Sequence, residues 1–158
     1  VIRKNTAALF AACTEAAAYS VGVSEEEVKL ARLLGEYIGI CFQIKDDIFD
    51  YFDSKEIGKP TGNDMLEGKL TLPVLYALNR ANDNQAAEIA LKVKEGTATL
   101  AEIARLIAFT KENGGIEYAV RTMNAYKQKA FGLLASLPDS AICVALRSYL
   151  DYVVDREK

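Results

Sequence analysis

The chain has 158 residues, 51% of them apolar, and a formal net charge of −3. That apolar share excludes a disordered chain, the length allows one domain with a real core, and the slightly acidic balance argues against nucleic acid as a partner. There is no histidine, so the usual general base at neutral pH and the commonest transition-metal ligand are both missing; chemistry here must use carboxylates, lysines, hydroxyls, amides or a bound hard cation.

Residues 1–21 read as a helix rich in alanine, at 7, 8, 11, 12, 16, 17 and 18, which lets neighbouring helices approach closely; Gly22 is its expected C-cap. Its polar start, Arg3, Lys4 and Thr6, taken alone reads as a solvated helix end. Ser24 and Glu27 then form a capping box, with Glu25 and Glu26 in the first turn where the helix dipole favours them. Leu30, Leu33, Leu34, Tyr37, Ile38, Cys41, Ile44 and Ile48 recur at three and four, predicting a long central helix with a wide buried stripe to about Phe52.

The C-terminal end of that helix carries Gln43, Asp46, Asp47 and Asp50, spaced so that they share one face. Three carboxylates repel one another, and the negative end of the helix dipole adds to the cost, so a counter-charge is expected. A bare acidic helix end paired with Lys45 or Lys55 would satisfy that requirement. Here Phe42, Ile44, Ile48 and Phe49 interleave the polar positions with apolar bulk, so the carboxylates are expected to line a partly buried wall. Carboxylates facing a divalent cation, with Lys59 and Lys69 following in the next segment, suit a polyphosphate, because Mg²⁺ prefers oxygen ligands and is commonly shared between a few carboxylates and substrate phosphates.

Residues 53–72 read as a loop punctuated by Gly58, Gly62 and Gly68, longer than most connections. It is not a P-loop: five residues separate Gly62 from Gly68 where four are needed, and Leu70 stands where Ser or Thr should follow the lysine. The acidic spacing does not fit an EF-hand either. Beyond it, Thr71 and Pro73 open a helix running to about Asn82; further helices are predicted over about 84–95, 100–113 after Thr99, 116–137, and from Ser140 towards Arg156 after the break at Pro138. No stretch alternates with period two. The reading is all-α, about seven helices joined by short connections, with no linker dividing the chain.

Cys13, Cys41 and Cys143 are isolated, odd in number and set in apolar runs, so they read as buried thiols of a reducing compartment, the cytoplasm, and not as a disulfide frame or a zinc site. No secretory signal is seen, and no apolar run reaches the roughly 20 residues that cross a bilayer. Residue 1 is Val and the chain opens inside a helix, so a longer natural protein is expected.

The run from Phe42 to Pro73, FQIKDDIFDYFDSKEIGKPTGNDMLEGKLTLP, resembles the second aspartate-rich region of the trans-type polyprenyl diphosphate synthases. The shared pattern is F-Q-x-x-D-D-x-x-D, then G-K, G-x-D and G-K-x-T-x-P, met in order by Phe42, Gln43, Asp46, Asp47, Asp50, Gly58, Lys59, Gly62, Asp64, Gly68, Lys69, Thr71 and Pro73. The opening IRKNTAALF looks like the family's K-T-A-x-L segment, and the closing YVVDREK like its basic C-terminus.

The resemblance implies an isoprenoid-synthase-type helical bundle around a deep apolar cavity, two Asp-rich motifs facing each other at its mouth and binding Mg²⁺, and condensation of isopentenyl diphosphate with an allylic prenyl diphosphate, usually by a homodimer. It assigns metal binding to Asp46, Asp47 and Asp50, with Asp46 foremost, and diphosphate contact to Lys59 and Lys69 and to the basic start at Lys4. It assigns stabilisation of the allylic cation to the oxygen dipoles of Thr6 and Gln43, places Lys59 among the catalytic groups, and lets pyrophosphate itself take the proton. Two departures stand out. The other D-D-x-x-D motif is absent, so residues 1–158 are expected to be the C-terminal portion of a single synthase domain, inactive alone. The family lysine before Thr6 is Asn5 here; Lys4 is one place earlier, and neighbouring helix positions point about 100° apart, so it does not simply replace that lysine. The alternatives are a non-catalytic subunit or diphosphate-binding module of a heteromeric prenyl synthase, and an ordinary helical protein with an acidic helix end.

Overall fold

The computed structural model describes residues 6–52, 61–137 and 140–157. The described residues contain helices and connections and no strand: α1 (Thr6–Ser20), α2 (Glu25–Phe49), α3 (Asn63–Leu66), α4 (Leu72–Ala81), α5 (Asn84–Glu95), α6 (Leu100–Glu112), α7 (Gly115–Ala135) and α8 (Ala141–Asp155). The all-α expectation holds, and seven of these helices are those the periodicity predicts. The capping chemistry works as the residue types require. The Ser24 hydroxyl accepts from the Glu27 amide while the Glu27 carboxylate accepts from Ser24 N–H at 2.9 Å, Thr99 and Glu102 repeat the arrangement at α6, and Ser140 accepts from Cys143 N–H at α8.

The chain forms two compact units. The first comprises residues 1–45 and 122–157. Here the predicted stripe of α2 is buried at Leu34, Ile38, Cys41 and Ile44, and α1 lies against it through Ala7 and Ala11, both buried. The approach is unusually close because α2 presents glycines to α1. A Cβ at Gly39 would stand 2.6 Å from Ala7 Cα, and one at Gly35 would stand 2.5 Å from the Phe10 carbonyl oxygen. The alanine richness of α1 anticipated a close neighbour; the matching glycines are the other half of that contact. Met123, Ala130, Leu134, Leu150, Val153 and Val154 are also buried, and Cys41 Sγ donates to the Met123 carbonyl at 3.4 Å.

The second unit comprises residues 46–121. Its core joins Tyr51, Met65, Val74, Ile89, Val93, Ile103, Leu106 and Ile107, with α6 packed on α4 and α5, and α3 on α5. Removing such side chains from water is the main stabilising term.

Three expectations are corrected. The segment 53–72, read as a loop, contains α3. Gly62 turns the chain at φ 81°, a left-handed conformation available to glycine, and its helix has no side-chain cap of its own; the acceptor for its first amides comes from Asp50, which no local pattern reveals. Cys13 is exposed, because the outward face of α1 is as apolar as its inward one and composition could not separate them; Cys41 and Cys143 are buried thiols as expected, burial pushing the Cys41 group up to about 12. Thr71 occupies the N-cap of α4 but makes no side-chain cap bond; its hydroxyl lies instead 3.4 Å from the Tyr51 hydroxyl.

Candidate functional site

In the unit of residues 46–121, the last turn of α2 places its carboxylates in unequal surroundings. Asp47 is 3% exposed, whereas Asp46 and Asp50 are half-buried. The expected partly buried acidic wall is therefore present. Asp50 is engaged by the segment that follows. Its Oδ1 accepts the Asn63 N–H at 2.9 Å, its Oδ2 accepts the Asp64 N–H at 3.0 Å, and its main-chain carbonyl accepts the Gly62 N–H at 2.9 Å. Hydrogen bonds to an ionised acceptor are about twice as strong as neutral ones.

This contact brings a fourth carboxylate, Asp64, to the cluster. Burial, followed by the charge of Asp50 and with a smaller contribution from Asp46, pushes the Asp64 carboxyl above its ordinary range, while Lys69 pulls the other way. Asp64 lies in the matched G-x-D pattern, which by itself does not mark it as a site residue; only the folded turn shows which acids it joins. Lys69 stands beside it, Nζ 3.8 Å from Asp64 Oδ1 and 2.6 Å from Glu67 Oε2. The Glu67 hydrogen bond raises the Lys69 ammonium further, keeping it charged. Tyr51, the residue after Asp50, is 2% exposed; burial pushes its phenol up, and the Thr71 hydroxyl is its partner across the turn.

In the unit of residues 1–45 and 122–157, Thr6 and Gln43 meet. The Thr6 hydroxyl donates to Gln43 Oε1 at 2.5 Å, joining the start of α1 to α2. Two residues separated by 37 positions, assigned to one role by resemblance, are thus brought into contact. Beside them the Phe10 and Phe42 rings lie 5.6 Å apart, and the Arg156 guanidinium covers the Phe42 ring at 4.2 Å from its centroid. Burial, then the charge of Arg156, lowers the Lys45 ammonium below its ordinary range.

Lys4 and Lys59 lie outside the described residues. Among the described residues no three His, Cys, Asp or Glu side chains are grouped so as to hold a metal ion by themselves. The donor set nonetheless suits Mg²⁺: hard carboxylate oxygens, one buried acid and two half-buried ones at the end of α2, and Asp64 raised by burial and then by the charge of Asp50, which a cation would offset. Mg²⁺ is ordinarily held by one or two carboxylates, with waters and substrate phosphates completing the shell, so a full protein cage is not required. A small cavity in the same unit, about 40 Å³ and lined by Asp83, Gln85, Ile89, Arg105 and Phe109 among others, includes none of these residues. No helix among the described residues is long and apolar enough to cross a membrane.

The family profile described as polyprenyl synthetase matches residues 1–110. Among curated proteins, heptaprenyl diphosphate synthase component 2 of Geobacillus stearothermophilus is 36% identical over 157 residues, covering 99% of this chain and 48% of that protein. Among solved structures, geranylgeranyl pyrophosphate synthase from Bacteroides thetaiotaomicron is 78% identical with a TM-score of 0.94, covering 98% of this chain and 51% of that one. A polyprenyl synthase from Caulobacter crescentus CB15, solved in complex with calcium and isoprenyl diphosphate, is 34% identical with a TM-score of 0.84, covering 98% of this chain and 48% of the other. The chain spans about half the length of the curated relatives it matches.

Proposed function

The chain belongs to the polyprenyl synthetase family, and on that premise we propose that it supplies the second aspartate-rich wall of a Mg²⁺-dependent prenyltransferase condensing isopentenyl diphosphate with an allylic prenyl diphosphate. The observation that carries this reading is the meeting of Asp50, Asp64 and Lys69 beside Asp46 and Asp47 in one unit, where burial and then the charge of Asp50 raise the Asp64 carboxyl and Lys69 opposes the rise. The Caulobacter relative, solved with calcium and isoprenyl diphosphate, supports a divalent cation and a prenyl diphosphate as ligands of this fold.

Under this reading Asp46 and Asp47 hold the metal; the resemblance assigns Asp50 to the same motif, and its carboxylate is engaged by the Asn63 and Asp64 amides. Bound there, Mg²⁺ supplies the positive charge that neutralises a departing pyrophosphate. Lys69, kept charged by Glu67 and Asp64, adds a cation on the same side of the turn. Thr6, whose hydroxyl hydrogen bond is donated to Gln43, keeps its oxygen lone pairs as an uncharged electron-rich group suited to an allylic cation. Lys59 and Lys4 are assigned to diphosphate contact by the resemblance. A homodimeric cytoplasmic enzyme is part of the same proposal, as is inactivity of the 158-residue chain alone, since the family chemistry uses two Asp-rich motifs.

The test is an assay of isopentenyl diphosphate incorporation with an allylic primer, with Mg²⁺ and with chelator, on this chain alone and joined to the other half of the family fold. Mg²⁺-dependent incorporation by the joined protein alone supports the reading. Activity of the joined protein in chelator, or none under any condition, counts against it. The 78% identical relative makes geranylgeranyl diphosphate the first product to look for.

A further inference from the structure

We propose that Asp50 is a positioning residue, which holds the Gly62–Lys69 turn against the end of α2 and is not itself a metal ligand. The proposal rests on the prenyltransferase reading above and divides the labour within its acidic motif.

The three bonds made by Asp50 go to three successive amides. Its carbonyl takes Gly62 N–H, and its two carboxylate oxygens take Asn63 N–H and Asp64 N–H, one each. These are the first amides of α3, a helix with no side-chain cap of its own. Orphan amides at a helix start need an acceptor, and a carboxylate is among the best available. Each carboxylate oxygen thus has an accepted bond committed to backbone. The tie is also what places the rest of the turn. The Lys69 N–H donates to the Asp64 carbonyl at 2.8 Å, and its ammonium stands 3.8 Å from Asp64 Oδ1, so a shift at Asn63 and Asp64 would move Asp64 and Lys69 together. Tyr51, next along the chain and buried, reaches Thr71 just beyond the turn, giving the segment a second anchor from the same stretch. A residue whose acceptors are used to place a neighbouring carboxylate and ammonium differs from one whose oxygens coordinate an ion, and substitution should separate the two roles.

The experiment compares Asp50→Ala, Asp50→Asn and Asp46→Asn in the protein with and without inorganic pyrophosphate. It reads amide hydrogen exchange at residues 61–69 and Mn²⁺ affinity by electron paramagnetic resonance, Mn²⁺ standing in for Mg²⁺. Asp50→Ala is expected to speed exchange at Asn63 and Asp64 by about tenfold or more, and Asp50→Asn, which keeps one acceptor, by less. Asp46→Asn should leave that exchange unchanged. Mn²⁺ affinity should fall by about tenfold or more in Asp46→Asn and stay within about threefold of the parent in Asp50→Asn, which loses charge but no coordinated ion. Equal loss of Mn²⁺ affinity in Asp50→Asn and Asp46→Asn would overturn the proposal, as would unchanged exchange in both Asp50 variants. If the parent chain binds no Mn²⁺ with pyrophosphate, the metal measurement is made on the chain joined to the other half of the family fold, where absence of binding counts against the prenyltransferase reading, and exchange at Asn63 and Asp64 still decides whether Asp50 holds the turn. Asp50→Asn keeps the test open should Asp50→Ala not fold.

Discussion

The Thr6 hydroxyl donates to the Gln43 side-chain oxygen at 2.5 Å, across 37 residues of sequence. This fixes the direction of both dipoles: the threonine oxygen keeps its lone pairs, and the glutamine amide nitrogen is turned away from the shared proton. Thr6→Val should therefore lower prenyl transfer by about tenfold, the value of one such uncharged interaction, with Thr6→Ser retaining most of it. Turnover at saturating substrate is the measurement, and equal turnover in the parent and Thr6→Val would remove the assigned role.

Asp46 is half-buried at the end of α2, where burial is less complete than at Asp47. Asp46→Ala is expected to reduce turnover by at least about a hundredfold, the scale seen when a group that stabilises transition-state charge is deleted. Helical content and thermal midpoint should stay near those of the parent. Near-normal turnover would exclude a metal role for this side chain.

Ordinarily Gly→Ala within a helix gains up to about 1 kcal/mol. At Gly35 and Gly39 the sign should reverse, because the added methyl would meet the Phe10 carbonyl at 2.5 Å or the Ala7 Cα at 2.6 Å, both backbone atoms that cannot swing aside. Each variant is expected to lose about 1–3 kcal/mol by overpacking. Denaturant unfolding would show it as a lower midpoint, and an unchanged or raised midpoint would mean that the two helices part without cost.

Glu102 accepts from the Lys92 ammonium and from the amide and hydroxyl of Thr99, and these depress its carboxyl from an ordinary 4.5 to about 2. A depressed carboxyl stabilises the folded state fully above its unfolded value, and that stabilisation is lost as pH falls through the folded value. Between pH 4.5 and about 2 the thermal midpoint should fall more steeply in the parent than in Glu102→Gln. Parallel slopes over that window would show that the pairing does not form in solution.

The helices were legible because their signals are local. Periodic apolar residues fixed the long stripe ending at Ile48, and capping boxes fixed the starts at Ser24 and Thr99. The acidic turn was legible as a motif, since Asp46, Asp47 and Asp50 fall on one face by spacing alone. The short helix at Asn63 was not, because its first amides are satisfied by a side chain 13 and 14 positions earlier. Nor was the exposure of Cys13, because alanines surround α1 on every side and periodicity then carries no direction.

The sequence by itself determined the fold class, the family and the residue types of the acidic motif, because these depend on order and spacing along one chain. Only the tertiary structure decided which of those residues act together. It bound Asp50 to the amides of Asn63 and Asp64, set Asp64 beside Lys69, joined Thr6 to Gln43 and seated Ala7 against Gly39. The physical reason is that hydrogen bonds and close packing depend on distances of a few ångströms between groups far apart in sequence, and spacing along the chain does not encode those distances.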